Sequence, residues 1–381
     1  MQRESVALQS TKRQSEHKGC ILLEKIYRDE AIHPPWSTSH IPGLGGTIKT
    51  LPEDFEVEEI PAYEPCGHGE HLYVWLEKRD ISAEYLQRLI VRKLNLAASE
   101  IGMAGLKDRH ALTRQYISIP ANAESRLPAL EGEGIRVLRC QRHTNKLRTG
   151  HVRGNHFKIM IRDARPETST VFNQYRDHFR EVGLVNYFGP QRFGKDGETA
   201  ELGWSLLQRQ GKKIKSPFLR KLALSAAQSL LFNLYVIRRS ADQLLHQVLA
   251  GDVMIKIPSG AKFTVEDPQR EQERFNRREI VISGPIFGKS MFPARADAAE
   301  REKAILTQAE LNPESFAGFG ALLEGTRRAL LIFIDNLTIE TTAEGILVQF
   351  SLPAGCYATN LLGEIMKTKL PREDNPSLQE A

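Results

Sequence analysis

The chain predicts an α+β protein of more than one compact part, and three observations lead there. Short runs alternate apolar and polar residues with a period of two, as half-exposed strands do. Longer runs carry apolar residues at helical spacing. The 381 residues exceed one average domain, and a hydrophobic fraction of 41% with 26% charged residues is that of a globular chain with a real core.

Composition narrows the class further. A net charge of +5 is mildly basic, which permits a polyanionic partner without demanding one. Cys20, Cys66, Cys140 and Cys356 lie far apart with no paired spacing and read as reduced thiols of a cytoplasmic protein. No apolar run is long enough to span a bilayer, and no short apolar core of a signal peptide opens the chain, so no membrane partner is expected.

Residues 1–40 are polar, mixed in charge and without apolar periodicity, as a weakly ordered extension would be. Pro42–Gly46 is a turn-rich hinge. Phe55 and Val57 alternating with Asp54, Glu56 and Glu58 predict a strand, as do Leu72, Val74 and Leu76 alternating with His71, Tyr73 and Trp75. Cys66, His68 and His71 lack the second ligand pair that a zinc site needs, so no metal is expected. Ser82 is a candidate N-cap for a helix through Leu96, with Leu86, Leu89, Ile90 and Leu94 on one face. Next comes Ala104–Gln115, AGLKDRHALTRQ, where Asp108 sits among Lys107, Arg109, His110 and Arg114 just after an Ala-Gly turn. Neighbouring cations favour the ionised carboxylate, which suits a nucleophile or an ion-pair anchor better than a proton donor. Tyr116–Ile119 is a further short strand.

From Ile135 to Arg162 there is no acid, while Arg136, Arg139, Arg142, Lys146, Arg148, Arg153, Lys158 and Arg162 all occur. One-signed stretches of this length suggest phosphate contacts. Asn186–Gly194, NYFGPQRFG, gathers aromatics, amides and an arginine around two glycines; it serves either an unstacked base or a packed turn. Helices are predicted over Val171–Gly183, Leu219–Ser240 and Ala294–Leu311, with Gly211–Pro217 as a basic linker and Gly284–Gly288 as a tight loop. Small residues in Ser225–Asn233 suggest close helix packing, with RNA contact as the alternative. Ala329–Ile334 and Ile346–Leu352 read as strands, and Glu364 lies on the helix after them.

Six blocks in order carry a resemblance. PEDFEVEEI (Pro52–Ile60), AGLKDRHALTRQ, KLRTGHVRGNHFKI (Lys146–Ile159), NYFGPQRFG, SAAQSLLFN (Ser225–Asn233) and LPAGCYATNLLGE (Leu352–Glu364) together resemble the TruD family of tRNA pseudouridine synthases. The resemblance implies a mixed, largely antiparallel sheet flanked by helices, with an inserted α/β domain. It divides the chain into an extension (1–40), a synthase domain in two parts (41–210 and 328–370), an insertion (211–327) and a tail (371–381). It implies isomerisation of uridine to pseudouridine in tRNA, typically at position 13, with no cofactor or metal; a monomer is the default. Asp108 matches the catalytic aspartate and Lys49 resembles its basic partner. Phe55, Asn186, Phe188 and Tyr357 match positions lining the uridine pocket, the last a phenylalanine in some members. Lys146, Arg148, Arg153 and Lys158 are the expected RNA-backbone contacts. A stacked base is out of reach, so the target would be extruded and an aromatic ring would replace lost stacking, worth ~1–3 kcal/mol per base. Two other functions use the same residues: an RNA-binding protein indifferent to Asp108, and a hydrolase that would release free uracil.

Overall fold

Alternating sequence becomes a sheet only when partners supply the backbone hydrogen bonds, and here nine described strands do so in one sheet. The computed structural model describes residues 28–105, 107–165, 169–210 and 214–368; most of the extension, Gly211–Lys213 of the basic linker and the tail lie outside the described residues. The described chain forms two compact units, residues 38–184 with 333–368, and residues 28–37 with 185–332. In chain order the first unit supplies β1 (Gly45–Thr47), β2 (Phe55–Pro61), β3 (His71–Arg79), β4 (Gly102–Met103), β5 (Leu112–Pro120), β6 (Ile135–His143) and β7 (Val152–Ala164). The second supplies β8 (Val253–Lys256), β9 (Lys262–Thr264), β10 (Ile280–Ile286) and β11 (Thr326–Ala329), and the first resumes with β12 (Thr338–Thr342) and β13 (Gly345–Pro353).

The main sheet runs β12-β13-β7-β2-β5-β3-β6, with β1 beside β7 and β4 beside β5. All these pairs are antiparallel except β2 with β5, so the sheet is mixed and largely antiparallel. Its helix is α1 (Ala83–Leu94), started by Ser82, whose hydroxyl accepts from the Tyr85 amide, and ended by Asn95 at φ 47°. Leu86, Leu89, Ile90 and Leu94 pack on Leu72, Val74, Leu76, Ile117 and Ile119, each burial worth about 1.5–3 kcal/mol. Alternation alone makes β3 half-exposed, yet Tyr73 and Trp75 on its other face are also buried, against Tyr116 and Leu147. A second helix, α2 (Ser169–Glu181), buries Val171, Phe172, Tyr175 and Phe179. Thr38 donates to Glu364 of the last helix through its amide (3.0 Å) and its hydroxyl (2.6 Å), so the buried acid noted in the sequence ties the ends of this unit together.

The second unit is built on α3 (Glu198–Leu207) and α4 (Pro217–Ala241). Their close packing is the purpose of the small residues. A Cβ at Gly203 would fall inside contact distance of the Ala223 carbonyl. Gln228 donates to Phe287 O (2.6 Å), and Asn233 donates to both Phe188 O and Ala31 O. The unit also contains α5 (Pro268–Asn276), α6 (Ala296–Gln308) and an antiparallel sheet in the order β9-β8-β10-β11. The last helix of the chain, α7 (Ala358–Met366), belongs to the first unit.

Three sequence expectations change here. Gly284–Ile286 forms the end of β10 rather than a loop, with Gly284 opposite Arg328; its missing side chain admits Phe232 and Tyr235 of α4 against the strand. Ala329–Ile334 is not one strand: β11 ends at Ala329, and Leu331–Ile332 pairs separately. Residues 28–37 are held rather than loose, since Ala31 and Ile32 are buried and Arg28 packs over Trp204 at 5.1 Å.

Gly203→Ala must push α3 off α4, because the obstacle is backbone. Chemical denaturation should show a loss of about 1–3 kcal/mol, the usual range for overpacking, with the far-UV spectrum unchanged.

Candidate active site

The parallel pairing of β2 with β5 sets Glu56 opposite Leu112, so the starts of both strands lie at the same edge of the sheet. β3 is antiparallel to β5 and brings its end there, with Lys78 opposite Thr113 and Arg79 opposite Leu112. Side chains just ahead of β2 and β5 are thereby forced together although they are distant in sequence. Lys49 Nζ lies 3.2 Å from Asp108 Oδ2 and 4.3 Å from the centre of the Phe55 ring. The ammonium is thus shared between a carboxylate and an aromatic face, an arrangement that holds a cation with its solvation partly removed. The Lys49 side chain is 9% exposed and that of Asp108 is 40% exposed. Lys49 also has φ 61°, a left-handed backbone that a non-glycine residue keeps only at a cost of order 1–3 kcal/mol.

The cations adjacent to Asp108 in sequence do not serve it. Lys107 turns to Glu59 (2.9 Å), Arg114 to Glu77 and Glu56 (2.9 and 3.2 Å), and His110 to Asp80 (2.8 Å). The partner of Asp108 is the lysine ahead of β2. Phe55 is 1% exposed, packed edge-on to Phe157 with Lys49 over its ring, so here it seats the lysine rather than presenting a free face.

The loop bearing Asp108 is fastened from two strands. Lys78 Nζ donates to Asp108 O and Ile81 O, both at 2.6 Å, and the Asp80 amide donates to Ala111 O (3.1 Å). From β2, Glu59 holds Lys107 with both side chains out of solvent. Burial pushes the Glu59 carboxyl above its ordinary range although Lys107 pulls it down. Glu59 and Lys78 were not picked out by motif or charge clustering. Their signal was phase: Glu59 continues the apolar positions 55 and 57, and Lys78 those of 72, 74 and 76.

The turn before β2 is pinned by Asp54. Its carboxylate takes Arg162 Nε (2.8 Å) and Nη2 (2.7 Å) and the Leu51 amide (2.9 Å). Burial raises this carboxyl, but Arg162 and the amide outweigh it and hold it below the usual range.

The other expected residues are distributed as follows. Tyr357 is the N-cap residue of α7 and is partly exposed. Asn186 and Phe188 belong to the second unit. There Asn186 Nδ2 donates to Ala329 O (2.9 Å), its Oδ1 accepts from Arg328 Nη2, and the Arg328 guanidinium lies 4.1 Å from the Phe188 ring centre. The basic stretch is partly neutralised by strand neighbours. Lys158 meets Glu56 (2.9 Å), Arg136 meets Glu77 (3.6 Å), and Arg142 meets Glu124 (3.2 Å). Lys146 Nζ bonds Ser99 O, while Arg148 and Arg153 are exposed and make no ion pair among the described residues. No group of three or more His, Cys, Asp or Glu side chains among the described residues is placed to hold a metal. No described helix is long and apolar enough to cross a membrane.

An accessible acid held by one largely buried lysine thus stands where the starts of two strands of a mixed sheet meet. The sequence profile of the family described as tRNA pseudouridine synthase D (TruD) matches residues 34–218 and 212–365. The tRNA pseudouridine synthase D of an Anaeromyxobacter species is 40% identical over 350 residues, covering 89% of this chain and 98% of the relative. That of Thermus thermophilus is 40% identical over 351 residues, covering 91% and 95%. A crystal structure described as a putative tRNA pseudouridine synthase D from Methanosarcina mazei shares the fold, with TM-score 0.73 at 22% identity over 90% of this chain and 98% of that one. The chain belongs to the tRNA pseudouridine synthase D (TruD) family.

Glu59→Gln leaves the Lys107 ammonium buried without its counter-charge and should cost about 3–5 kcal/mol in urea unfolding. Glu59→Gln with Lys107→Met removes both charges and should recover most of that loss.

Proposed function

We propose that the chain isomerises uridine to pseudouridine in tRNA, at position 13, with Asp108 as the catalytic carboxylate. One observation carries this reading. The acid of the family motif is accessible, and the lysine that the motif resemblance pairs with it lies 3.2 Å away on the face of Phe55. The isomerisation breaks the C1′–N1 bond, turns the uracil and forms C1′–C5, while the C5 proton is lost and N1 gains one. Atoms and oxidation level balance, so no co-reactant is consumed. The Asp108 carboxylate acts on the ribosyl-uracil, as nucleophile at C1′ or C6 or as base for the C2′ proton. Each route needs the carboxylate fixed and within reach, and the Lys49 contact supplies the fixing. No second acid is required, unlike the paired carboxylates of glycosidases.

Recognition of the base falls in this reading to Asn186, Phe188 and Tyr357, with Phe55 acting through Lys49. The bonds to Ala329 and Arg328 orient the Asn186 amide while leaving it one donor hydrogen and one acceptor lone pair, the complement of a uracil edge. Arg148 and Arg153 carry the phosphate contacts, joined by Lys146 and Lys158 once these yield Ser99 and Glu56. The enzyme works as a cytoplasmic monomer.

Carbodiimide labelling and reverse transcription on unmodified tRNA tests this. Wild-type protein should produce a stop at uridine 13 that Asp108→Asn abolishes to background and Lys49→Met strongly reduces. Released uracil instead would identify a hydrolase, and intact tRNA binding without any stop would leave an RNA-binding protein.

Arg148→Ala and Arg153→Ala should each weaken tRNA binding and lower the slope of log K against log salt by about one, as filter binding across salt concentrations would show.

A further inference from the structure

Lys78 is fully buried, in a strand position whose predecessors Leu72, Val74 and Leu76 are apolar. Packing alone would put another aliphatic residue there, since a buried ammonium is costly unless its hydrogen bonds are met. Lys78 meets them with main-chain carbonyls, Asp108 O and Ile81 O, each at 2.6 Å. One carbonyl belongs to the residue that bears the carboxylate, and the other lies immediately ahead of the Ser82 cap of α1. The bonds are charge-assisted and tie the Asp108 peptide to the start of a helix packed on the sheet.

We infer that Lys78 is a positioning residue for the reaction at Asp108, fixing the main chain from which the carboxylate projects; this rests on the reading of Asp108 given above. The three lysines around the loop divide the task. Lys49 holds the carboxylate, Lys107 anchors the preceding side chain to Glu59, and Lys78 grips the peptide itself. Orientation is the property concerned, since a displacement of about 1 Å in a reacting group costs on the order of 100-fold in rate. Lys78 is out of solvent, so it makes no direct contact with tRNA.

The test is single-turnover pseudouridine formation at saturating tRNA, together with tRNA binding and thermal unfolding, on wild type, Lys78→Met and Lys78→Arg. Wild type and Asp108→Asn are run first: an inactive wild type, or an active Asp108→Asn, removes the reading of Asp108 and not the role of Lys78 in particular. With that reading standing, Lys78→Met should bind tRNA as wild type does and form pseudouridine on the order of 100-fold more slowly per folded molecule. Lys78→Arg keeps a cation and donors in an altered geometry and should fall between the two. A Lys78→Met rate equal to wild type per folded molecule overturns the proposal, and so does a loss confined to KM or to tRNA affinity. If Lys78→Met fails to fold, Lys78→Arg decides: slower turnover with unchanged binding supports positioning, and wild-type turnover overturns it.

Discussion

The parallel register of β2 against β5 is the constraint on which this structure depends. Every other pair in the main sheet is antiparallel, and antiparallel neighbours bring the start of one strand to the end of the next. The single parallel pair instead sets two strand starts side by side, and each is preceded by a short irregular segment. One segment carries Lys49 and the other Asp108. The ion pair between them follows from the sheet order, and Phe55 at the first position of β2 completes the seat.

The same edge explains why charged residues interrupt the apolar phase of two strands. Glu59 and Lys78 occupy positions where the alternation calls for apolar side chains, and both lose solvent there. Burying charge rarely adds net stability over a well-packed hydrophobe. Their common target is the loop bearing Asp108, through Lys107 in one case and the main chain in the other. Local departures from patterning are expected where a site must be held rather than merely packed.

Much of the fold was legible. Alternation located β2 and β3, short apolar runs located β5 and β13, the Ser82 cap located α1, and small residues anticipated how α4 packs. What escaped depended on tertiary pairing. Lys107 and Arg114, near Asp108 in sequence, are drawn to acids on β2 and β3, and His110 to Asp80, so local charge counting named the wrong partners. The acid-free stretch from Ile135 to Arg162 looked uniformly basic because its counter-charges sit elsewhere in the chain; Lys158 meets Glu56 only because the β2–β7 register sets them opposite. Gly284 looked like a turn, because a glycine needed for close helix approach cannot be told from one needed for backbone bending. The motif resemblance paired Lys49 with Asp108, a proximity that no periodicity could reveal.

Discontinuity in the first unit has a consequence during synthesis. β13 pairs with β7 from Ile346 opposite Ile161 to Pro353 opposite Gly154, yet residues 185–332 of the second unit are encoded between them. At ribosomal rates of roughly 5–20 residues per second, β7 waits on the order of 10–40 s with one edge unsatisfied. Long unpaired edges invite association with other nascent chains, and cationic side chains discourage it. Arg153, Lys158 and Arg162 are on that strand, so their charges guard the unfinished polypeptide.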